Sequence, residues 1–146
     1  MSGLTARRAA AFRKTREAHV TEIAEDYVEL IADLTVEFGE ARLTDIADNM
    51  AVTQATASKI VSRLKREGLV ENRPYRSIFL TDAGRTMAEE ARRRHQVVLE
   101  FLRALGIDDA TAEADSEGME HHVSDVTLDA LVALTARLSR AADQGS

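Results

Sequence analysis

The side chains best suited to chemistry are concentrated in Glu117-Gly118-Met119-Glu120-His121-His122. If the stretch from about Ala112 to Val123 is helical, Glu117, Glu120 and His121 stand at i, i+3 and i+4 and rise from one face. Carboxylates that close repel one another unless a proton or a cation lies between them, and oxygen plus imidazole donors suit a divalent first-row metal. The pattern predicts a metal site. His122 points roughly 100° away from His121 around a helix, so it reads as a supporting or structural side chain.

Two further donor sets depend on the elements that carry them. From about His19 to Gly39 the apolar residues Ile23, Tyr27, Leu30, Ile31, Leu34 and Phe38 recur every three or four positions, which marks an amphipathic helix stopped by Gly39. Asp26 and Glu29 border its apolar face, whereas Glu25, Asp33 and Glu37 can serve the outside. A second long helix is capped by Thr81-Asp82 and runs to about Leu105, with Met87, Ala91, Val98, Leu102 and Leu105 on its apolar side. It carries Arg92, Arg93 and Arg94, read as a solvated run, and then His95. A lone histidine is more often structural than a ligand, so His95 joins the site only if the fold brings it to the carboxylates. His19 reads as a solvent histidine. The last helix, Ser124 to about Arg140, carries Val126, Leu128, Leu131, Leu134 and Leu138, an apolar surface that fits a homodimer face or intrachain packing equally well.

Between the two long helices lies a pattern of another kind. Leu43 to Leu64 reads as a short helix capped by Thr44, a turn at Asn49 to Val52, and a second helix capped by Thr53 and running to Glu67, the organisation of a helix-turn-helix. Thr53, Gln54, Ala55, Thr56, Ser58, Lys59 and Arg63 form a face of small, polar and basic residues without an acid. Small residues allow close approach to a groove, Gln and Thr address base edges, and Lys and Arg reach phosphates. Leu69-Val70-Glu71 and Ser77-Ile78-Phe79-Leu80 then form a two-stranded wing whose tip places Arg73, Tyr75 and Arg76 beside the groove. A plain hairpin that contacts nothing is the competing reading, above all for Tyr75.

At 146 residues the chain fits one domain or two small ones, and 45% hydrophobic with 30% charged residues describes a soluble globular protein. The apolar runs are far too short for a membrane span, and no export signal is recognisable, so the expected location is the cytoplasm. Without cysteine, metal donors are restricted to nitrogen and oxygen. The net charge of −6 is unevenly placed: residues 1–80 carry 12 basic and 12 acidic residues, and residues 81–146 carry 7 and 13. Local patches decide contact with phosphate, so the acidic total does not exclude DNA. Residues 1–16 hold Arg7, Arg8, Arg13, Lys14 and Arg16 and no acid, which predicts a flexible basic arm: either a solvated, partly frayed tail or a contact to DNA backbone. No nucleophile paired with a base and no phosphate-cradling loop is present, so an enzyme is not expected.

The order of these motifs resembles the manganese-responsive, MntR-type branch of the diphtheria-toxin-repressor family of transcriptional regulators. The resemblance runs from Glu25-Asp26-Tyr27-Val28-Glu29, through the helix-turn-helix and Leu80-Thr81-Asp82-Ala83-Gly84, to Arg94-His95, Phe101-Leu102-Arg103-Ala104-Leu105-Gly106 and Glu117 to His122, covering roughly residues 21–130. It implies a mainly α protein: a winged helix-turn-helix DNA-binding domain over residues 19–82, an all-helical metal-binding and dimerisation domain over 83–146, and residues 1–18 as the flexible arm. By position it implies metal ligands Asp26, Glu29, His95, Glu117, Glu120 and His121. Iron-responsive relatives have softer sulfur donors where this chain has Asp26 and Glu117, so the carboxylate-imidazole set favours Mn(II), although Fe(II) fits the same donors. Relatives with two metals per site often have a Glu four residues beyond the equivalent of His95, where this chain has Leu99, which bears on metal number. The implied function is a Mn(II)-dependent repressor of manganese uptake genes, binding operator DNA as a homodimer when metal-loaded, with no membrane or small organic substrate as partner. The rival readings are an iron-responsive repressor, a carboxylate-bridged di-iron protein, which usually needs a Glu-x-x-His pair on each of two helices, and a winged-helix sensor of an organic ligand.

Overall fold

The computed structural model describes residues 3–73 and 77–145. The chain order is α1 (Gly3–Phe38), β1 (Ala41–Arg42), α2 (Leu43–Met50), α3 (Gln54–Arg66), β2 (Val70–Asn72), β3 (Ser77–Leu80), α4 (Asp82–Ala104), α5 (Asp109–Met119) and α6 (Asp125–Gln144). The chain forms two compact units: Glu22–Ala91, and Met1–Thr21 with Arg92–Ser146. The divisions between these units, at 21/22 and 91/92, fall inside α1 and α4.

The first correction concerns the flexible arm. Residues 3–18 are helical, and α1 runs for 36 residues. Amphipathic periodicity could not reveal this half, because nearly all of it is exposed. Its composition could: Ala, Arg and Lys are strong helix formers, and neither Gly nor Pro occurs between Leu4 and Phe38. Gly39 then ends the helix with φ +79°, a conformation glycine adopts without steric cost.

In the Glu22–Ala91 unit, α1 contributes Ala24, Tyr27, Val28, Ile31 and Leu34 to the core, while the expected Ile23 and Phe38 are 43% and 64% exposed. Ile46 and Ala47 of α2 and Ala57, Val61 and Leu64 of α3 pack into the same cluster. Ala51 closes α2 in the left-handed conformation, and its N–H bonds back to the Asp48 carbonyl at 3.2 Å. The sheet has the order β1-β3-β2, all antiparallel, with Ala41 opposite Ile78 and Val70 opposite Leu80. β1 went unread in the sequence because two residues carry no period. Tyr75 and Arg76, expected at the wing tip, lie outside the described residues.

The unit of Met1–Thr21 and Arg92–Ser146 buries a smaller core of Val98, Leu99, Leu102, Ala112 and Leu128, packed by Val97, Phe101, Val123 and Leu131. Leu105, expected on the apolar side of α4, is 52% exposed. Ser124 caps α6 by accepting the Thr127 N–H at 3.3 Å. Among the described residues no helix is long and apolar enough to cross a membrane.

The exit from the wing into α4 has no spare space. The Thr81 hydroxyl accepts the Gly84 N–H at 3.1 Å and so caps α4. A Cβ built at Gly84 would collide with the Leu69 carbonyl oxygen, a backbone atom that cannot swing aside. Gly84→Ala is expected to destabilise the protein by about 1–3 kcal/mol, measurable as a lowered urea midpoint with an unchanged denaturant slope.

Candidate metal centre and nucleic-acid interface

His95 lies in the middle of α4 and meets the end of α5. Asp108 starts α5 by accepting the Thr111 N–H at 3.0 Å, a bond that holds its carboxyl below the usual carboxylate range. The helix does not continue to Val123 as expected: it ends at Met119, with Glu120 as C-cap still in helical conformation and His121 and His122 in the following turn. The His122 N–H bonds to the Met119 carbonyl at 3.1 Å, tightening that turn just before the α6 cap. Glu117 and Glu120 keep their helical relation, whereas His121 is placed by the turn.

His95 Nδ1 lies 2.9 Å from Glu120 Oε2 and 3.7 Å from Glu117 Oε1, and His95 Nε2 lies 3.3 Å from Glu113 Oε2. His121 Nε2 is 3.3 Å from Glu120 Oε1. Donor atoms of His95, Glu117 and Glu120 all fall within 4.8 Å of one another. Glu120 is 1% exposed and His121 6%, whereas the Glu117 side chain is 65% exposed, so the cluster is closed on the Glu120 side and open at Glu117. His95 Nδ1 is buried and completes no hydrogen bond, although Glu120 Oε2 lies 2.9 Å away. A buried carboxylate against an imidazole nitrogen that is not hydrogen-bonded is costly unless a positive charge sits between them. Nitrogen and oxygen donors converging there fit a divalent cation.

Arg94 was read as solvated and is not. Its side chain is 17% exposed, and its guanidinium donates to the backbone carbonyls of Glu120, at 3.0 Å, and Val123, and pairs with Asp125 at 3.2 Å. One cation thus fixes the turn that carries Glu120 and His121. Nothing in the one-dimensional pattern separated Arg94 from Arg92 and Arg93. Glu113 was legible but missed: Glu113, Glu117 and Glu120 stand at i, i+4 and i+7 on α5. Leu99, the departure from the two-metal pattern, is 4% exposed and belongs to the core.

Asp26 and Glu29 are half-buried on α1 within the Glu22–Ala91 unit. They flank Tyr27, whose hydroxyl is buried and whose pKa burial pushes up.

In the same unit, Thr53 caps α3 by accepting the Thr56 N–H at 3.1 Å, as expected. Thr53, Gln54, Ala55, Thr56, Ser58 and Lys59 are exposed, over a floor of Ala57, Val61 and Leu64. Arg63 is half-buried and pairs with Glu67 at 2.9 Å. Arg73 lies 4.4 Å over the Phe79 ring and pairs with Glu71 at 3.1 Å, which holds its guanidinium on the wing. A groove of about 830 Å³ opens between α3 and the sheet, lined by Arg42, Thr44, Gln54, Ser58 and Arg73 among others. Arg42 is the residue missed here. It precedes α2, which starts at Leu43 with no side-chain cap, so Thr44 falls inside the first turn and does not cap the helix. Arg42 Nε donates to Glu40 at 2.8 Å, and Glu40 accepts the Ser77 hydroxyl at 2.8 Å, a bond that lowers the Glu40 pKa.

A helix-turn-helix with a wing, in a chain that also gathers imidazole and carboxylates on a helical unit, defines a metal-dependent winged-helix regulator of transcription. Residues 19–78 match the family model described as iron dependent repressor, N-terminal DNA binding domain, and residues 81–145 match its metal binding and dimerisation domain. The chain belongs to this iron-dependent repressor family, that of the diphtheria toxin repressor. It is 50% identical over 124 residues to the transcriptional regulator MntR of Salmonella typhimurium, covering 85% of this chain and 79% of the relative. It is 36% identical over 104 residues to the HTH-type transcriptional regulator MntR of Bacillus subtilis, covering 71% of this chain and 73% of the relative. Among solved structures it resembles the manganese regulator SloR, at 28% identity and a TM-score of 0.67 over 76% of this chain. A manganese-dependent transcriptional repressor complexed with manganese matches at 29% identity, again with a TM-score of 0.67, over 77% of this chain. The chain spans 52% of each of those two solved chains.

Arg94→Ala removes a largely buried cation from two carbonyls and a carboxylate. The expected cost is about 2–4 kcal/mol, above a single charged hydrogen bond because the carbonyls lose their donor. Faster amide hydrogen exchange confined to residues 119–125, together with a lowered Tm, is the expected signature.

Proposed function

We propose that this protein is a Mn(II)-dependent repressor that binds operator DNA as a homodimer when metal-loaded, with manganese uptake genes among its targets. The observation that carries the reading is the convergence of His95, Glu117 and Glu120, whose donor atoms lie within 4.8 Å of one another. It lies within the segment matched by a metal-binding and dimerisation model, in a chain half identical to a regulator named MntR.

His95, Glu117, Glu120 and His121 are proposed as ligands from the C-terminal helical unit, and Asp26 and Glu29 complete the set on the order of the sequence motifs. A bound cation supplies the positive charge that lets these carboxylates stay ionised side by side. Arg94 holds the Glu120–Val123 backbone so that the carboxylate is presented before metal arrives. In its absence the acids of α5 repel one another and the DNA-binding units sample arrangements that do not match two half-sites, so metal acts by population shift. Coupling of about 1–3 kcal/mol is typical of such linkage.

On the DNA, Gln54, Thr56 and Ser58 face base edges, with Thr53 and Ala55 in close approach to the groove. Lys59, Arg63, Arg73 and Arg76 serve phosphates. Fe(II) is the second reading, favoured by the iron-dependent description of both family models. Membership of a DNA-binding family leaves the di-iron reading without support.

Fluorescence anisotropy of a labelled promoter fragment from a manganese transporter gene, at fixed salt, tests the reading. Mn(II) is expected to tighten binding about 5- to 150-fold over chelator, and Glu120→Ala is expected to bind alike in both. Equal binding of the wild-type protein with chelator, Mn(II) and Fe(II) would sink it. Lys59→Ala is expected to reduce the slope of log affinity against log salt by about 1, with little change in sequence preference.

A further inference from the structure

Neither family model reaches residues 3–18: the matches begin at residue 19. Yet this segment is helical, and Met1–Thr21 belongs to the same compact unit as Arg92–Ser146. Within that unit its position is fixed at one end. Lys14, Thr15 and Ala18 line a pocket of about 230 Å³ with His121, His122 and Val123, and the His19 ring meets the His122 ring edge-on with centroids 5.2 Å apart.

Beyond that anchor the helix stands open. Leu4 is 68% and Phe12 61% exposed. Eight residues apart, they lie about 80° from one another around the helix, with Arg8 between them on the same face. Arg16 continues that row, so one ridge of the helix, Leu4-Arg8-Phe12-Arg16, joins large apolar and basic side chains. Arg7, Arg8, Arg13, Lys14 and Arg16 are all exposed as well, and no acid occurs among residues 1–16. Residues 105–146 of the same unit carry nine acids against two bases. On α6, Val126 is 81% and Val132 48% exposed, in the segment matched by a dimerisation domain.

We propose that the segment from Gly3 to Ala18 is a dimer clasp: it docks on the C-terminal helical unit of a second copy of this chain. Leu4 and Phe12 meet exposed apolar side chains such as those of α6, and Arg8 and Arg16, in the same row, face that copy's acidic residues. The proposal rests on the homodimer reading above and deepens it by naming a segment outside the family's dimerisation domain. Charge complementarity and continuity with that domain select the occupant. DNA, the other polyanion available, is disfavoured because phosphate contact has no use for Leu4 and Phe12. The five cations also occupy every side of the helix instead of one stripe that could follow a groove.

Sedimentation equilibrium of the full chain with Mn(II), at low salt and at 0.5 M salt, tests the clasp. Two variants are compared with the wild type, Leu4→Ala/Phe12→Ala and Arg8→Glu/Arg16→Glu, with far-UV circular dichroism showing that helicity is retained. The apolar variant is expected to raise the dimer dissociation constant at least tenfold at both salts. The charge reversal is expected to raise it at low salt and much less at 0.5 M, where screening shortens the reach of exposed charges. Dimer constants within twofold of wild type for both variants overturn the clasp but leave the homodimer standing. A wild-type chain that stays monomeric overturns both. Unchanged dimerisation with a flatter salt slope of operator binding assigns the segment to DNA and overturns the clasp.

Discussion

A carboxylate that is 1% exposed and lies 2.9 Å from an imidazole nitrogen is the constraint on which the C-terminal unit depends. Burying charge of one sign is tolerated only where charge of the other sign is at hand. The unit is built around that requirement. Asp108 sets where α5 starts, the tight turn at His122 sets where it stops, and Arg94 grips the backbone between Glu120 and Asp125. The small core of Val98, Leu99, Leu102, Ala112 and Leu128 holds α4 and α5 in register, so that His95 faces Glu117 and Glu120. Leu99 in that core is at once a packing residue and the reason no carboxylate stands there.

The Glu22–Ala91 unit works by a different economy. Its core joins the second half of α1 to several short elements, and the exposed residues of α3 are small, polar or basic. Several of its cations are held by local acids: Arg42 by Glu40, Arg63 by Glu67 and Arg73 by Glu71. Exposed pairs of this kind contribute little to stability, at most about 1 kcal/mol each. Their effect is to fix where each guanidinium points.

Much of this was legible because it depends on neighbours in the chain. The cap at Thr53, the stop at Gly39 and the two strands of the wing are all set within a few residues. So are the i, i+3 relation of Glu117 to Glu120 and the apolar stripe that buries Tyr27, Ile31 and Leu34. Local rules misled where two of them competed. Residues 3–18 looked like a tail because they lack an apolar stripe, yet helix propensity is satisfied without one. Thr44 looked like a cap, but α2 follows directly on the pairing of Arg42 with Ser77 and starts two residues earlier than that cap would allow.

By itself the sequence determined the elements, the metal-suited donor types and the polar face of the second helix, since each follows from side-chain chemistry at fixed local spacing. The tertiary structure supplied the contact itself, setting His95 2.9 Å from Glu120, 25 residues further along the chain. It alone separated Arg94 from two identical neighbours, and it showed that a basic segment outside the recognisable domains is a helix with Leu4 and Phe12 laid open. The reason is physical: contact across a long stretch of chain depends on how cores pack, and no periodicity along one helix encodes what another helix will bring against it.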